Sequence, residues 1–136
     1  MAREFHLSVV APDKSVIETS VVSVTAPGSE GYFGVQAGHL PLIASLNPGV
    51  IEYTDPNTQR HYVYVGGGFA EVGPEHMTVL ADEAEHADVI DLAKAEMMLE
   101  EARRSLRGEE SAMNNREAMM ELERALQRYK AARMSK

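Results

Sequence analysis

Arg124 and Arg128 stand four residues apart in a stretch of helical periodicity, so their guanidinium groups share one face. Two planar forks on one face suit a phosphate or a pair of carboxylates. The same spacing is equally that of a salt-bridged helix. Glu117 and Glu121 are within reach on this helix, and Glu100 is close to Arg103 and Arg104 upstream. On the residues alone, ordinary ion pairing is the simpler reading. A second constellation is His86 behind Glu83 and Glu85, which sketches a metal site. Consecutive loop residues seldom converge on one ion, and no histidines are paired at helical spacing, so a solvated loop is expected. Gly66-Gly67-Gly68 has the look of a phosphate loop but lacks its lysine and hydroxyl residue, and no helix follows. A bulge or a close crossing of two strands is expected there. His6 and His61 alternate with apolar residues and read as outward strand positions, while His76 falls in a turn. His39, between Gly38 and Pro41, is held in a rigid bend.

Other chemistries are excluded or lack a constellation. The chain has no cysteine, which removes disulfides, thiol nucleophiles and thiolate-bound metals. No serine lies in a nucleophile elbow, and the glutamates fall mostly on helical surface rather than in a concave site. A free-standing enzyme is not expected. A net charge of −8 disfavours nucleic acid. No apolar run approaches the ~20 residues that span a bilayer, and Met1–His6 has neither a signal core nor a transit-peptide composition. The expectation is a soluble mature chain whose membrane association would run through a partner.

The elements that must hold these residues change character near Asp88. Up to that point the chain reads in period two, with glycine and proline as punctuation. Phe5-Leu7-Val9 alternates with His6-Ser8-Val10, and short strands follow at Val16-Ile17, Val21–Val24, Tyr32–Val35, Leu42–Ala44, Gly49–Tyr53, His61–Val65, Gly68–Val72 and Met77–Leu80. Turns are expected at Ala11–Lys14, Ala26–Gly31 and Gly38–Leu42. Many short strands with frequent turns predict an antiparallel sandwich or barrel over residues 1–86.

Residues 87–136 predict two helices. Asp88 is the candidate N-cap of the first, with Asp91 near its positive end. Leu92, Ala95, Leu99, Ala102 and Leu106 form its stripe, and Gly108 ends it. Asn114 with Glu117 reads as a capping box for the second, whose stripe is Ala118, Leu122, Ala125, Tyr129 and Ala132. The short connection folds the helices into an antiparallel hairpin, and alanines in both stripes let them approach closely. So thin a seam makes the hairpin marginal alone, and it must dock on something. A second stripe, Met97, Met98, Met113, Met119, Met120 and Leu126, offers adaptable apolar surface to the β module or to another protein.

In order and spacing, several short pieces resemble the epsilon subunit of bacterial F-type ATP synthases. They are Phe5–Val10, Gly28–Gly31, Phe33–Val35, Gly38–Leu42, Pro48–Ile51, Gly66–Val72 and Val79–Asp82, followed by the two-helix tail with Glu121–Arg128. The resemblance implies a flattened N-terminal β-sandwich and a C-terminal α-hairpin. It also implies a non-catalytic rotor subunit that helps couple proton flow to ATP synthesis. By the same resemblance the sandwich binds the gamma subunit and the c-ring, and Glu30, Tyr32 and His39 fall in that contact region. Tyr32 replaces an acidic residue frequent in the family. The hairpin resembles an element that folds on the sandwich or extends into the alpha/beta catalytic head and blocks ATP hydrolysis.

Some members of that family bind regulatory ATP through an Ile-Asp-x-x-Arg-Ala motif. Here it reads Ile90-Asp91-Leu92-Ala93-Lys94-Ala95, with lysine in place of arginine. Glu85, Arg124 and Arg128 match further contributors, whereas Glu101 stands where another arginine is expected and would repel phosphate. The resemblance therefore implies weak ATP binding at best, with no required cofactor and no metal. It places the chain peripherally on the cytoplasmic face of a bacterial plasma membrane in preference to a thylakoid. The competing readings are a stand-alone nucleotide sensor built on Ile90–Ala95, Arg124 and Arg128, and a metal hydrolase built on Glu83, Glu85 and His86.

Overall fold

The computed structural model describes residues 3–107 and 115–135. Eight strands come first: β1 (Phe5–Ala11), β2 (Lys14–Val21), β3 (Ser23–Gly28), β4 (Gly31–Val35), β5 (Leu42–Thr54), β6 (Arg60–Val72), β7 (His76–Ala81) and β8 (Ala84–His86). A 3-10 turn at Ala87–Val89 leads into α1 (Leu92–Leu106), and α2 (Asn115–Met134) follows. The strand order is β2-β1-β7-β6-β5-β3-β4, with β8 on β6. The pairs are antiparallel except β1 with β7, which run parallel. The purely antiparallel expectation is corrected at that one pair.

The period-two pattern does what it predicts. Phe5, Leu7, Val9 and Ala11 of β1 are buried while His6 is exposed, and Met77, Val79 and Ala81 of β7 alternate likewise. These side chains meet Val21, Val24, Val35, Leu46, Ile51 and Val63 in one core.

Two expected breaks do not occur. Leu42–Ala44 and Gly49–Tyr53 belong to the single strand β5, which runs through Pro48, and His61–Val65 and Gly68–Val72 are both in β6. Punctuation residues here bend strands rather than end them. Pro48 faces Gly66, and β6 changes neighbour just there, from β8 at Val63–Val65 to β7 at Gly68–Val72. Gly67 and Gly68 have φ of 98° and 138°, and a Cβ on Gly68 would lie 2.2 Å from the Leu80 carbonyl oxygen. The triple glycine is thus a close strand crossing. Likewise Ala26, Pro27 and Gly28 belong to β3, so the turn before β4 is shorter than expected.

The first helix begins later than expected. Asp91, not Asp88, caps α1, its Oδ1 accepting from Lys94 N at 3.1 Å. Asp88 lies in the 3-10 turn, whose N-cap is His86. The periodicity change near Asp88 is real, but a buried linker of Ala87 and Ile90 intervenes before the helix. Gly108, Met113 and the Asn114 cap lie outside the described residues.

α1 packs on α2, and α2 lies on β5 and β6. In the expected stripes Ala95, Leu99, Ala118 and Ala132 are buried, and Ala131 joins them. A small second core links sandwich to helices: Val50 and Tyr64 below, Ala87 and Ile90 in the linker, Ala95, Ala131 and Ala132 above. Met97, Met119 and Met120 face solvent instead of the sandwich, and Met98 is exposed only in part, beside Arg128.

Candidate functional site

The arginine pair meets the sandwich where β6 crosses. Arg124 Nε donates to the Gly66 carbonyl at 3.1 Å, and its NH2 lies 3.9 Å from Asp82 Oδ2. Arg128 grips Glu85 of β8 with both prongs, Nε to Oε1 at 2.6 Å and NH2 to Oε2 at 3.1 Å. That hydrogen-bonded carboxylate holds the Arg128 guanidinium above its usual basicity, against the opposing effect of burial. Tyr64, fully buried, donates its phenol proton to Glu83. Burial first, and the neighbouring Glu83 carboxylate second, push the Tyr64 phenol far above the ordinary tyrosine range.

Between the two helices and the sandwich lies a cleft of about 450 Å³. Its cations are Lys94, Arg124 and Arg128. Its carboxylates are Glu83, Glu85, Glu101 and Glu121. Met98 edges it, and its thioether accepts from Arg128 NH1 at 3.6 Å. Glu85, Lys94, Arg124 and Arg128 therefore come together at one cleft. Ile90, Asp91 and Ala95 do not line this cleft: Ile90 and Ala95 are buried in the second core, and Asp91 caps α1. The roles of Tyr64, Glu83, Asp82 and the Gly66 carbonyl escape a reading of the sequence because their contacts join distant stretches of chain. Arg124 and Gly66, for example, are 58 residues apart.

The histidine–carboxylate sketch dissolves. Glu83 turns to Tyr64, Glu85 to Arg128, and His86 Nδ1 accepts from Asp88 N at 3.3 Å. Among the described residues no group of three or more candidate ligands could hold a metal. His86 is a strand and capping residue rather than a solvated loop residue, and His76 opens β7 rather than sitting in a turn. His61 is half-buried instead of outward, stacked on Tyr53 at 4.9 Å and paired with Asp55 at 2.9 Å.

Glu30, Tyr32 and His39 lie along the β3–β4 turn, β4 and the bend before β5. Tyr32 is exposed, and its hydroxyl accepts from Val50 N at 3.3 Å. His39 Nδ1 donates to the Leu40 carbonyl at 2.6 Å, in a bend whose Gly38 has φ of 85°. Elsewhere the sheet shows a bare apolar face. Ile43, Phe69 and Leu80 are each more than half exposed, and Phe69 pairs with Leu80 across β6 and β7. Their signal is in the sequence: apolar residues stand at the outward phase of the alternation, where polar ones are usual.

Residues 4–87 match the family model of the ATP synthase delta/epsilon chain β-sandwich domain. The ATP synthase epsilon chain of Nitratidesulfovibrio vulgaris strain DP4 is 39% identical over 130 residues, 96% of each chain. That of Desulfatibacillum aliphaticivorans is 42% identical over 84% of this chain and 81% of its own. Among solved structures, a chain of the Euglena gracilis mitochondrial ATP synthase, in its OSCP/F1/c-ring assembly, superposes with a TM-score of 0.80 at 26% identity, covering 96% of this chain and 81% of that one. A chain of the Tetrahymena thermophila central stalk and c-ring, 12% identical over 96% of this chain and 98% of its own, shares the fold at a TM-score of 0.61. No described helix is long and apolar enough to cross a membrane. A sandwich carrying a docked helical pair agrees with the matches over nearly the whole chain: it belongs to the epsilon-chain family of ATP synthases, non-catalytic subunits of that complex.

Proposed function

We propose that this chain is a rotor subunit whose sandwich is its anchor and whose helical hairpin is a regulatory element. The sandwich docks on the gamma subunit and the polar loops of the c-ring, peripherally at the cytoplasmic face of the bacterial plasma membrane. The Glu30, Tyr32 and His39 segment and the Ile43–Phe69–Leu80 face supply the contacts. The hairpin, when released, extends into the alpha/beta head and restrains ATP hydrolysis. One observation carries this reading. α2 is held to the sandwich by two arginines and a small alanine-rich core rather than by the main core. A polar latch over a small apolar contact can open without unfolding the sandwich. Removing the chain from the assembled ATP synthase should raise ATP hydrolysis and uncouple it from proton movement. Unchanged hydrolysis and coupling would refute the proposal.

A second reading is favoured by the convergence of Lys94, Arg124 and Arg128 on one cleft: weak regulatory binding of ATP to the folded hairpin. Titration calorimetry of the full chain with ATP, set against a variant carrying Arg124→Ala and Arg128→Ala, tests it. Absence of heat at millimolar ATP in the unaltered chain would dismiss it.

A further inference from the structure

Strand register rules the outward side of the sheet into rows. Phe69 faces Leu80 and Leu80 faces Val10, an apolar row across β6, β7 and β1. One step along the strands lies a polar row, in which Glu71, Thr78, Ser8 and Glu18 are successive partners across β6, β7, β1 and β2. One step further, His76 partners His6. Residues two apart on a strand share a face, so the three rows look the same way. Phe69, Leu80, Glu71, Glu18, His6 and His76 are all exposed. His6 Nε2 donates to Glu18 Oε2 at 2.8 Å, and His76 Nε2 lies 3.4 Å from Glu71 Oε1. An ionised carboxylate only accepts, so the ring nitrogen is the donor. No lysine or arginine occupies an outward position of these rows. Arg3 sits at their margin beside the Gly38 bend, which Pro74 holds, and Glu4 and Glu75 neighbour the histidines along the chain. With the imidazoles neutral, two uncompensated carboxylates therefore border the apolar row. Three strand spacings of ~4.8 Å part Glu18 from Glu71, about 14 Å, too far for one cation to serve both.

We propose that this face takes a protein surface bearing an apolar strip and two separate basic side chains, one opposite Glu18 and one opposite Glu71, and that proton uptake by His6 and His76 weakens the contact. The inference rests on the docking of this face on the gamma subunit and names the chemistry that the gamma surface must present. Charge complementarity carries it, because the rows hold carboxylates and no fixed cation. As pH falls from about 8 to about 5, histidine takes up its proton, and each imidazolium neutralises the carboxylate it touches. The Ser8 hydroxyl first, and the His6 ring second, hold the Glu18 carboxyl below the usual carboxylate range, so it stays ionised through that interval. The carboxylates thus remain while their attraction for the partner's cations is cancelled from the side. Exposed pairs of this kind are weak singly, each altering affinity by up to about fivefold. Reciprocally, a bound cation disfavours the imidazolium, so association should release protons in the same interval.

The test is binding of the full chain to immobilised gamma subunit at about pH 8 and about pH 5.5, on either side of the histidine range. Affinity of the unaltered chain should fall about fivefold on acidification. A variant carrying Glu18→Gln and Glu71→Gln should bind at least about fivefold more weakly at the higher pH, and added salt should weaken it less than the unaltered chain. A variant carrying His6→Gln and His76→Gln should show less than about half of the unaltered chain's response to pH. The same gamma subunit is used throughout, so its own titration is common to all arms. The substituted side chains are exposed, and urea midpoints verify that each variant is folded. A carboxylate variant that binds as tightly as the unaltered chain at the higher pH would overturn the inference. So would a histidine variant with the full response to pH. Either result leaves the docking reading intact, because Phe69→Glu reports on the apolar row separately. No binding of the unaltered chain to the gamma subunit would remove the docking reading and this inference together.

Discussion

The buried phenol of Tyr64 donates to the carboxylate of Glu83 directly beneath the two arginines of α2. This pair sits at the junction of three elements. Tyr64 belongs to β6, Glu83 to the turn before β8, and the same tyrosine packs on Ala87, Ile90 and Ala131 in the core that seats the hairpin. The charged latch therefore rests on a polar floor that is itself satisfied, as a buried hydroxyl requires.

Alkaline pH should weaken the protein through Tyr64. Burial, then the Glu83 carboxylate, raise its folded-state pKa above the ordinary tyrosine value of 10.0. The unfolded chain ionises first, near that ordinary value, while the native phenol keeps its proton. Stability is thus unaffected below pH 10.0 and falls as pH rises beyond it. Urea midpoints between neutral pH and strongly alkaline conditions should show this fall. Tyr64→Phe should flatten it, leaving the smaller contribution of Tyr53, whose phenol is also raised, by burial and then by Asp88 and Asp55. An unchanged alkaline slope in Tyr64→Phe would rule the mechanism out.

Gly68→Ala should destabilise the sandwich by about 3 kcal/mol or more. Its φ of 138° disfavours an L side chain, and the added Cβ would lie 2.2 Å from the Leu80 carbonyl oxygen and 2.9 Å from Ala81 Cα. Backbone atoms of a paired strand cannot step aside as a side chain tip can. Gly34→Ala is the control, because nothing lies within 4 Å of the place its Cβ would take. Equal denaturation midpoints for the two variants would contradict the close-crossing account.

Thr58→Asn should have the opposite sign. Thr58 holds φ of 64°, a left-handed conformation that a β-branched residue adopts reluctantly and asparagine tolerates. The turn is otherwise well made: Asp55 Oδ1 accepts from Asn57 N at 2.8 Å and from Gln59 N at 3.0 Å. Those bonds remain in the variant, so a gain of about 0.5–1 kcal/mol is expected in the thermal or urea midpoint. A loss would mean that the Thr58 hydroxyl bond to the Asn57 carbonyl outweighs the backbone strain.

Local sequence carries some of this architecture and not the rest. Period two in Phe5–Ala11 and His76–Ala81 announces strands because each alternation reports one face buried and one exposed. The helical stripes are legible for the same reason, at the other period. Pro48 and Gly66–Gly68 mislead about strand ends because local punctuation marks a bend as readily as a stop. What settles the matter is the partner strand, which is distant in sequence. The N-cap shifts from Asp88 to Asp91 since both aspartates satisfy the local rule, and the burial of Ala87 and Ile90 decides between them. At the arginine cleft, the helix spacing correctly puts Arg124 and Arg128 on one face. It does not reveal Gly66 and Glu85 opposite them, because those contacts exist only after the sandwich has formed.

Phe69→Glu should separate assembly from folding. Phe69 is outward on β6, beside Leu80 on β7 and near Ile43 on β5, and all three are exposed in the isolated chain. Replacing an exposed aromatic removes little packing, so the denaturation midpoint should move by no more than about 0.5 kcal/mol. In the proposed docking, an introduced carboxylate at the centre of an apolar contact would be stripped of water, which should weaken association with the gamma subunit by tenfold or more, on the order of 2 kcal/mol. Ser8 lies on β1 of the same sheet with its hydroxyl donating to Glu18 at 2.8 Å, and Ser8→Ala serves as a polar control. Binding of purified chain to immobilised gamma subunit reads the effect directly. Full affinity in Phe69→Glu would remove this apolar face from the proposed gamma-subunit contact.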